Sequence, residues 1–508
     1  MTPMLLLVTL LAAPAAPAAA APAKIAYRPL VAPAPLTIVA LPVPNKPIVS
    51  VRLVFRSGSV DDPAGKEGLT ALTTRLLVEG GTKELSASQL LEALFPMAAE
   101  LDSFTDKELT VVSGRVHKDK LARFLTIFTD VLLNPRLDPK ELERLKAEQL
   151  NAVKSRLRGE NDEELGKVGL DSLLYAGHPY GHWVTGTEKG LGAITLDDVK
   201  TQWQRIFTQD RLIIGLAGAV DEALQKKVKD ALSKLPAKGA ERPSLPDASG
   251  VRGKTLIIQR DTASTAGSFG FTWDVRRGDP DYAALTTVMS YFGEHRQEHG
   301  VLFQEVRDKR GLNYGTYAYA EHYLQEGWTS IPRTNVLRST QDTTLWLRPV
   351  EAKNGVFATR VVVNMVEELL GKPFPAERWE TAKGFLIGAT RIWAQTDQRR
   401  LGYAIDDLLS GTKDWLGTLR ETAQGLTAEQ AQAILKKHYS VDRLNFVFVT
   451  KDAQGLKQAL ASQAPTPITY PSPKPAEVLE RDKLIAAQKL PMTAGAIDIV
   501  DAAGFMKE

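Results

Sequence analysis

A chain of 508 residues is too long for one ordinary hydrophobic core, so two or more domains are expected. With 44% hydrophobic and 24% charged residues it reads as a folded globular protein, and a net charge of +3 without a Lys/Arg cluster beside aromatics gives nucleic-acid binding no support. Cysteine is absent, which excludes thiolate zinc sites, cysteine nucleophiles and disulfides, and is compatible with an extracytoplasmic bacterial location.

Residues 1–23 read as a signal peptide. The apolar run Met4 to Ala13 is too short to span a membrane, and Ala21-Pro22-Ala23 forms a small-x-small cleavage site before Lys24, although no Lys or Arg precedes the run. The expectation is an exported, periplasmic protein. No Cys follows the run to carry a lipid, and no later segment is apolar enough for stable membrane insertion.

From Lys24 onward the chain repeats itself. Ile194-Thr195-Leu196-Asp197-Asp198 leads to Asp210-Arg211-Leu212, and Leu426-Thr427-Ala428-Glu429-Gln430 leads to Asp442-Arg443-Leu444, with fifteen residues from Thr to Asp in both. Each Thr is a natural N-cap, and Asp198 or Gln430 three residues on completes a capping box. Each Asp-Arg-Leu opens an apolar strand, 213–217 and 445–449. A second echo is Ala71-Leu72-Thr73-Thr74 against Ala284-Leu285-Thr286-Thr287, each after an alternating strand (51–55 and 268–273).

A repeat of a little over two hundred residues is far beyond solenoid periods and reads as a duplicated domain. Hairpin-like strand pairs beside helices predict an α+β fold, two homologous domains each with a mainly antiparallel sheet covered by helices. The expected boundaries are 24–235 for the first domain, 236–253 for a Pro/Gly linker, 254–469 for the second domain and 470–508 for the tail. The tail opens Pro-rich and then shows a short apolar strand, 496–500, expected to dock on the body.

The most informative stretch runs from Glu294 to Tyr323. It contains Leu302-Phe303-x-x-x-Arg307-x-x-x-Gly311-Leu312-x-Tyr314, in which 301–309 reads as a short helix, Gly311 as its C-terminal cap and 313–320 as a strand. By residue type alone, Arg307 is as well a surface arginine near a helix C-terminus and Tyr314 a tyrosine packed on a sheet.

The duplicated α/β pattern, this segment and the loop His178-Pro179-Tyr180-Gly181 together resemble the pitrilysin/insulinase family of zinc peptidases, which includes the mitochondrial processing peptidases. The resemblance spans roughly residues 24–500. It implies a first-half helix carrying two His one turn apart with a Glu base between them. Here those positions fall on Ala71, Thr74 and Arg75, and no His lies between Lys24 and Val116. The first-half zinc site is therefore expected to be lost.

In two-chain members of that family, one subunit carries zinc and the other contributes an Arg and a Tyr that position substrate. The resemblance maps those two onto Arg307 and Tyr314. A guanidinium clamps peptide carbonyls, and a phenol donates to a carbonyl oxygen that gains charge. The implied reading is a non-zinc, substrate-positioning subunit of a heteromeric zinc endopeptidase, inactive alone. Its partners are a zinc-motif-bearing homologue and a peptide substrate, and zinc sits in the partner, with no cofactor on this chain.

The same stretch also spells His295-x-x-Glu298-His299, the inverted zinc-peptidase pattern. An active metallopeptidase with His295 and His299 as ligands and Glu298 as base is thus the first alternative. Against it, Gly293 and Gly300 bracket the motif as in a loop, and the zinc-helix counterpart in this half, 284–291, carries none of the ligands. Of the later acids Glu377 and Glu380, the former aligns near Glu141, too early for a third ligand. The second alternative is a non-catalytic scaffold or peptide-binding protein. His178 and His182, with Pro179 and Gly181 between them, read as loop residues, and His117, His322 and His438 are solitary.

Overall fold

The computed structural model describes residues 24–508 apart from Pro44, Pro243 and His295, so the signal-peptide reading of 1–23 lies outside the described residues. The first half holds strands β1 (Thr37–Pro42), β2 (Ile48–Phe55), β3 (Glu100–Thr105), β4 (Thr110–His117) and β5 (Leu212–Gly218). Its helices are α1 (Leu69–Glu79), α2 (Ala87–Leu94), α3 (Leu121–Leu133), α4 (Pro139–Asn151), α5 (Asp162–Leu174), α6 (Glu188–Ala193), α7 (Leu196–Ile206) and α8 (Glu222–Leu232).

The second half repeats the order. Its strands are β6 (Thr255–Gln259), β7 (Ser264–Trp273), β8 (Thr316–Tyr319), β9 (Gln341–Glu351) and β10 (Asn445–Thr450). Its helices are α9 (Tyr282–Gly293), α10 (Gly355–Gly371), α11 (Ala376–Trp393), α12 (Asp397–Ser410), α13 (Trp415–Gly425), α14 (Ala428–His438) and α15 (Ala453–Ser462). The tail adds α16 (Ala476–Ala486), where only a Pro-rich segment was foreseen, and β11 (Ile497–Asp501).

The expected α+β layering of two like halves is what the structure holds. One sheet has the order β1-β5-β2-β4-β3 and the other β11-β6-β10-β7-β9-β8. In each, a parallel pair at one edge (β1 with β5, β6 with β10) gives way to antiparallel neighbours, and β11 extends the second sheet in parallel with β6. Both capping boxes form. Thr195 Oγ1 accepts from Asp198 N at 3.2 Å and Asp198 Oδ2 accepts from Thr195 N at 2.7 Å. Thr427 and Gln430 do the same at 3.2 and 3.1 Å.

The halves are interlocked in a way the repeat does not announce. Helix α5, from the first half, lies on the second sheet, where Leu165, Val168 and Leu174 share a core with Ile258, Ala266, Val447 and Val449. Helix α12, from the second half, lies on the first sheet, its Leu401, Ile405 and Leu409 packing with Val54, Val111, Ile213 and Ala217. Small residues permit the close approach: a Cβ on Gly169 would come within 2.9 Å of Val447 and Ile258.

Beside these apolar contacts sits a buried polar node. The β3–β4 turn carries Asp106, Lys107 and Glu108, all buried, and meets the long β8–β9 connection, 320–340. Ser339 donates its N–H and Oγ–H to Glu108 at 2.6 and 2.8 Å, and Arg333 covers Phe104 at 4.4 Å. Arg338, almost fully buried, reaches Asp106 at 3.4 Å, Asp171 at 3.8 Å and Asp342 at 3.9 Å. Burial and then the facing Asp171 push Asp342 up to about 6, and burial pushes Lys107 down to about 8.

Two expected outcomes follow from this node. Arg338→Met leaves the buried Asp106 and Asp342 and the half-buried Asp171 without their shared cation, and equilibrium urea unfolding is expected to show a loss of about 3–5 kcal/mol; a loss below about 1 kcal/mol would show that the node does not stabilise the fold. His322, 4.0 Å from Asp106, is held neutral by burial and then by the charge of Arg338, its pKa lowered to about 3. The unfolded chain takes up that proton below about pH 6.5, so wild-type stability falls on acidification while that of His322→Gln falls less. A fifth of the side chain still meets solvent, which limits the difference between pH 7 and pH 4 to on the order of 1–2 kcal/mol in matched unfolding curves.

Candidate functional site

A cleft of about 680 Å³ lies between the two halves. On one side it is lined by Ala71, Thr74 and Arg75 of α1 and by Phe104 at the end of β3; on the other by Tyr317, Trp346 and Arg348 of the second sheet. The lining alternates charge with aromatic surface. Lys167 stands 3.6 Å from the Trp346 ring centroid, and Glu163 accepts from Arg348 at 2.8 Å and from Lys167 at 2.9 Å. Such a surface suits an extended polypeptide, whose backbone takes hydrogen bonds and whose side chains take apolar contact.

Arg307 and Tyr314 stand together at the margin of this cleft. The segment 301–308 is helical with a wide, π-type last turn, Phe303–Asp308, and Gly311, at φ +65°, ends it by donating to Arg307 O at 2.6 Å. The Arg307 guanidinium lies 4.6 Å from the Tyr314 ring centroid and 4.5 Å from that of Phe303. Arg348 of the cleft wall stands 5.9 Å from the same tyrosine ring, so the pair adjoins the cleft without lining it. Tyr314 is 69% exposed.

The predicted strand 313–320 is shorter than expected, Thr316–Tyr319, and Tyr314 lies before it. The reason is a turn held partly from the neighbouring strand. Asn313 turns its side chain onto Gly315 N at 3.1 Å and onto Thr316 Oγ1 and Arg348 O at 3.1 and 3.0 Å, holding a turn where a strand would otherwise run.

Of the His295-x-x-Glu298-His299 motif, His295 lies outside the described residues. Residues 296–300 form turns and bends rather than a helix, with Arg296 at φ +56°. Glu298 is exposed, while His299 is half-buried with its ring 4.6 Å from that of Phe385, and burial lowers its pKa. Glu294 accepts from Ser290 Oγ at 2.5 Å and is pushed up to about 7 by burial. Among the described residues no group of three or more His, Asp or Glu side chains is arranged to hold a metal ion.

On the opposite wall, α1 is anchored by Asp62, which accepts from Gly68 N at 2.8 Å and Thr70 N at 2.7 Å. Within the helix, Thr74 Oγ1 donates back to Thr70 O at 2.8 Å. Arg75 is fixed by two carboxylates: Nε to Glu79 Oε1 at 2.8 Å and Nη2 to Glu148 Oε2 at 2.7 Å. Glu148 comes from α4, and Arg144 of that helix donates to its other oxygen at 2.7 Å. The hydrogen bond from Arg75 holds the Glu148 carboxyl below its ordinary pKa. Glu148 escaped the sequence reading because acids were sought downstream of His299 and not of Arg75, on the helix that packs against α1.

Residues 37–169 match the family described as Insulinase (Peptidase family M16), and residues 193–383 match the Peptidase M16 inactive domain. The chain belongs to the insulinase family. It is 25% identical over 418 residues to the Non-peptidase homolog YmxG of Helicobacter pylori, covering 80% of this chain and 89% of that protein. It is 23% identical over 289 residues to the Uncharacterized zinc protease YmxG of Bacillus subtilis, covering 56% and 67%. A peptidase M16 inactive domain from Pseudomonas fluorescens superposes with a TM-score of 0.69 at 24% identity, over 81% of this chain and 95% of that one. A protease from Helicobacter pylori superposes with a TM-score of 0.71 at 15% identity, over 83% and 98%.

The zinc that the insulinase family implies does not fit this α1. Ala71 offers no donor atom, Thr74 is tied to its own helix, and Arg75 brings a fixed positive charge to the place of a ligand. The carboxylates that remain, Glu79 and Glu148, are already met by Arg75 and Arg144. The Arg75 guanidinium is the positive centre between them. Returning the donors tests this reading: Ala71→His/Thr74→Glu/Arg75→His sets two imidazoles beside Glu148. Zinc per chain, read by atomic emission after dialysis, is expected to rise from near zero to about one. A folded triple variant that stays metal-free would show that the lost site is not where α1 and α4 meet.

Proposed function

We propose that this chain is the metal-free, substrate-positioning subunit of a two-chain zinc endopeptidase acting on peptides or unfolded segments. The observation that carries the reading is the pairing on one chain of a cation-filled metal seat with a solvent-facing Arg307–Tyr314 pair at the cleft margin. The name of the Helicobacter pylori relative, a non-peptidase homolog, is in keeping with a chain that does not hydrolyse peptides alone.

In this reading a homologous partner supplies zinc, its ligands and the glutamate base. Arg307 offers several donors, so it holds the substrate backbone by its carbonyls. Packing of Arg307 over the Tyr314 ring orients the phenol, whose O–H donates to the scissile carbonyl oxygen as negative charge builds there. Both groups serve a reaction centre that lies on the partner.

The test is reconstitution with a homologue that carries the zinc motif, using a fluorogenic peptide. Hydrolysis is expected to require both chains, and Arg307→Ala or Tyr314→Phe is expected to lower kcat by roughly 10²-fold with the complex intact on gel filtration. Unchanged kcat in both variants, with hydrolysis still dependent on the chain's presence, would replace this reading by a scaffold role. Hydrolysis by this chain alone that is lost in His295→Ala would replace it by the active-metallopeptidase reading.

A further inference from the structure

The duplication provides an internal comparison that exposes a second site. In the first half, Arg211 closes the 3-10 turn Gln209–Arg211 leading into β5, and its Nη1 donates to Asp61 Oδ1 at 3.0 Å. Arg242, from the segment between the halves, clamps the same carboxylate, Nε to Oδ1 at 3.1 Å and Nη2 to Oδ2 at 2.5 Å. Burial alone would raise the pKa of Asp61, but the charges of Arg242 and Arg211 more than offset it and hold the group below the usual carboxylate range.

The second half repeats this frame without the acid. Arg443 closes the turn Val441–Arg443 leading into β10, as Arg211 does before β5. The connection from β2 to α1 runs from 56 to 68 and contains the turn Ser59–Asp61; that from β7 to α9 runs only from 274 to 281 and has no such turn. Its acids are engaged elsewhere: Asp274 and Asp279 by Arg28 at 3.0 and 2.8 Å, Asp281 by Lys437 and His438 at 2.7 and 2.8 Å.

Arg443 directs two donors to the carbonyls of His438 and Thr272, at 2.9 and 2.6 Å, and lays its guanidinium 4.2 Å from the Phe271 ring centroid. Its remaining N–H groups have no carboxylate. Beside it a cavity of about 300 Å³ is lined by Lys24, Arg252, Lys437, His438 and Arg443, with Asp274 as the one acid. Arg252 comes from the inter-half segment, as Arg242 does in the first half. Burial, and then the charge of Arg252, lower the pKa of Arg443, so the two cations crowd each other. Residues 1–23 contain no Asp or Glu and do not supply the counter-charge.

We propose that this cavity binds an oxyanion, a carboxylate or phosphate group seated between Arg252 and Arg443 as Asp61 is seated between Arg242 and Arg211. Planar guanidiniums bind such groups with strong charge-assisted hydrogen bonds, and an anion relieves the repulsion between the two cations. The cavity exceeds a single carboxylate in size, so the ligand extends beyond its anionic group. The inference is independent of any peptidase partner.

Isothermal titration of the purified chain tests it with three probes: inorganic phosphate, a tripeptide with a free C-terminal carboxylate, and the same tripeptide as its amide. Saturable binding of phosphate or of the free carboxylate, but not of the amide, is expected, and which of the two binds tells the source of the anion. Arg252 is exposed, and Arg252→Gln leaves the packing of Arg443 intact while weakening the binding by about tenfold. No saturable binding of phosphate or carboxylate below about 10 mM would overturn the proposal. So would an affinity unchanged in Arg252→Gln, or an amide that binds as well as the acid.

Discussion

Helix α5 lies on the second sheet and α12 on the first, so each half covers one face of the other's sheet. This exchange locks the two sheets together, and α5 also lines the cleft between them. It also decides what is buried between them. The charged β3–β4 turn is carried into the junction, where Asp106, Lys107 and Glu108 are almost wholly removed from water. Desolvating such groups is costly, and paired charges rarely recover more than they lose. The apolar contacts of α5 and α12 hold the halves together, while the node around Arg338 selects the relative placement in which its guanidinium faces Asp106, Asp171 and Asp342.

The resemblance puts a zinc site on α1; in this chain the Arg75 guanidinium instead ties α1 to α4 through Glu148. The replacement keeps a positive centre between carboxylates, so the electrostatic demand of the site is still met. It removes the chemistry, because a guanidinium has no open coordination position and does not lower the pKa of a bound water.

Much of this was legible in the sequence, and the parts that were not share a cause. The duplication, the capping boxes at Thr195 and Thr427 and the strands after them follow from local rules, and the structure reproduces these strands within a residue or two. The absence of ligands at Ala71, Thr74 and Arg75 is likewise a matter of residue identity. What stayed hidden is non-local. The sequence shows that α5 and α12 are amphipathic but not that each serves the other half. It shows Arg75 but not that Glu148, on another helix, will meet it. Even the shortened β8 depends on a contact from Asn313 to the Arg348 carbonyl across the ladder. The His295-x-x-Glu298-His299 motif is the converse case, a pattern complete in letters whose described residues lie in turns.

The two halves also show where a duplicated fold is free to diverge. Their sheets are constrained twice over, by their own cores and by the helix each lends to the other, and strand order is shared but for the added β11. The connections carry no such constraint. The turn between β3 and β4 spans 106–109, whereas its counterpart between β8 and β9 spans 320–340 and straps the second half to the first. The reverse holds ahead of α1 and α9, where the first half has the longer connection and the second lacks the acid that the longer one provides. Chemistry has moved with the loops. The first half retains the seated carboxylate of Asp61 and has lost its metal donors; the second half presents Arg307 and Tyr314 at the cleft and leaves Arg443 without an acid. The first loss is closed within the chain by Arg75, whereas the second leaves cations at Arg252 and Arg443 whose charge an anion from another molecule can complete.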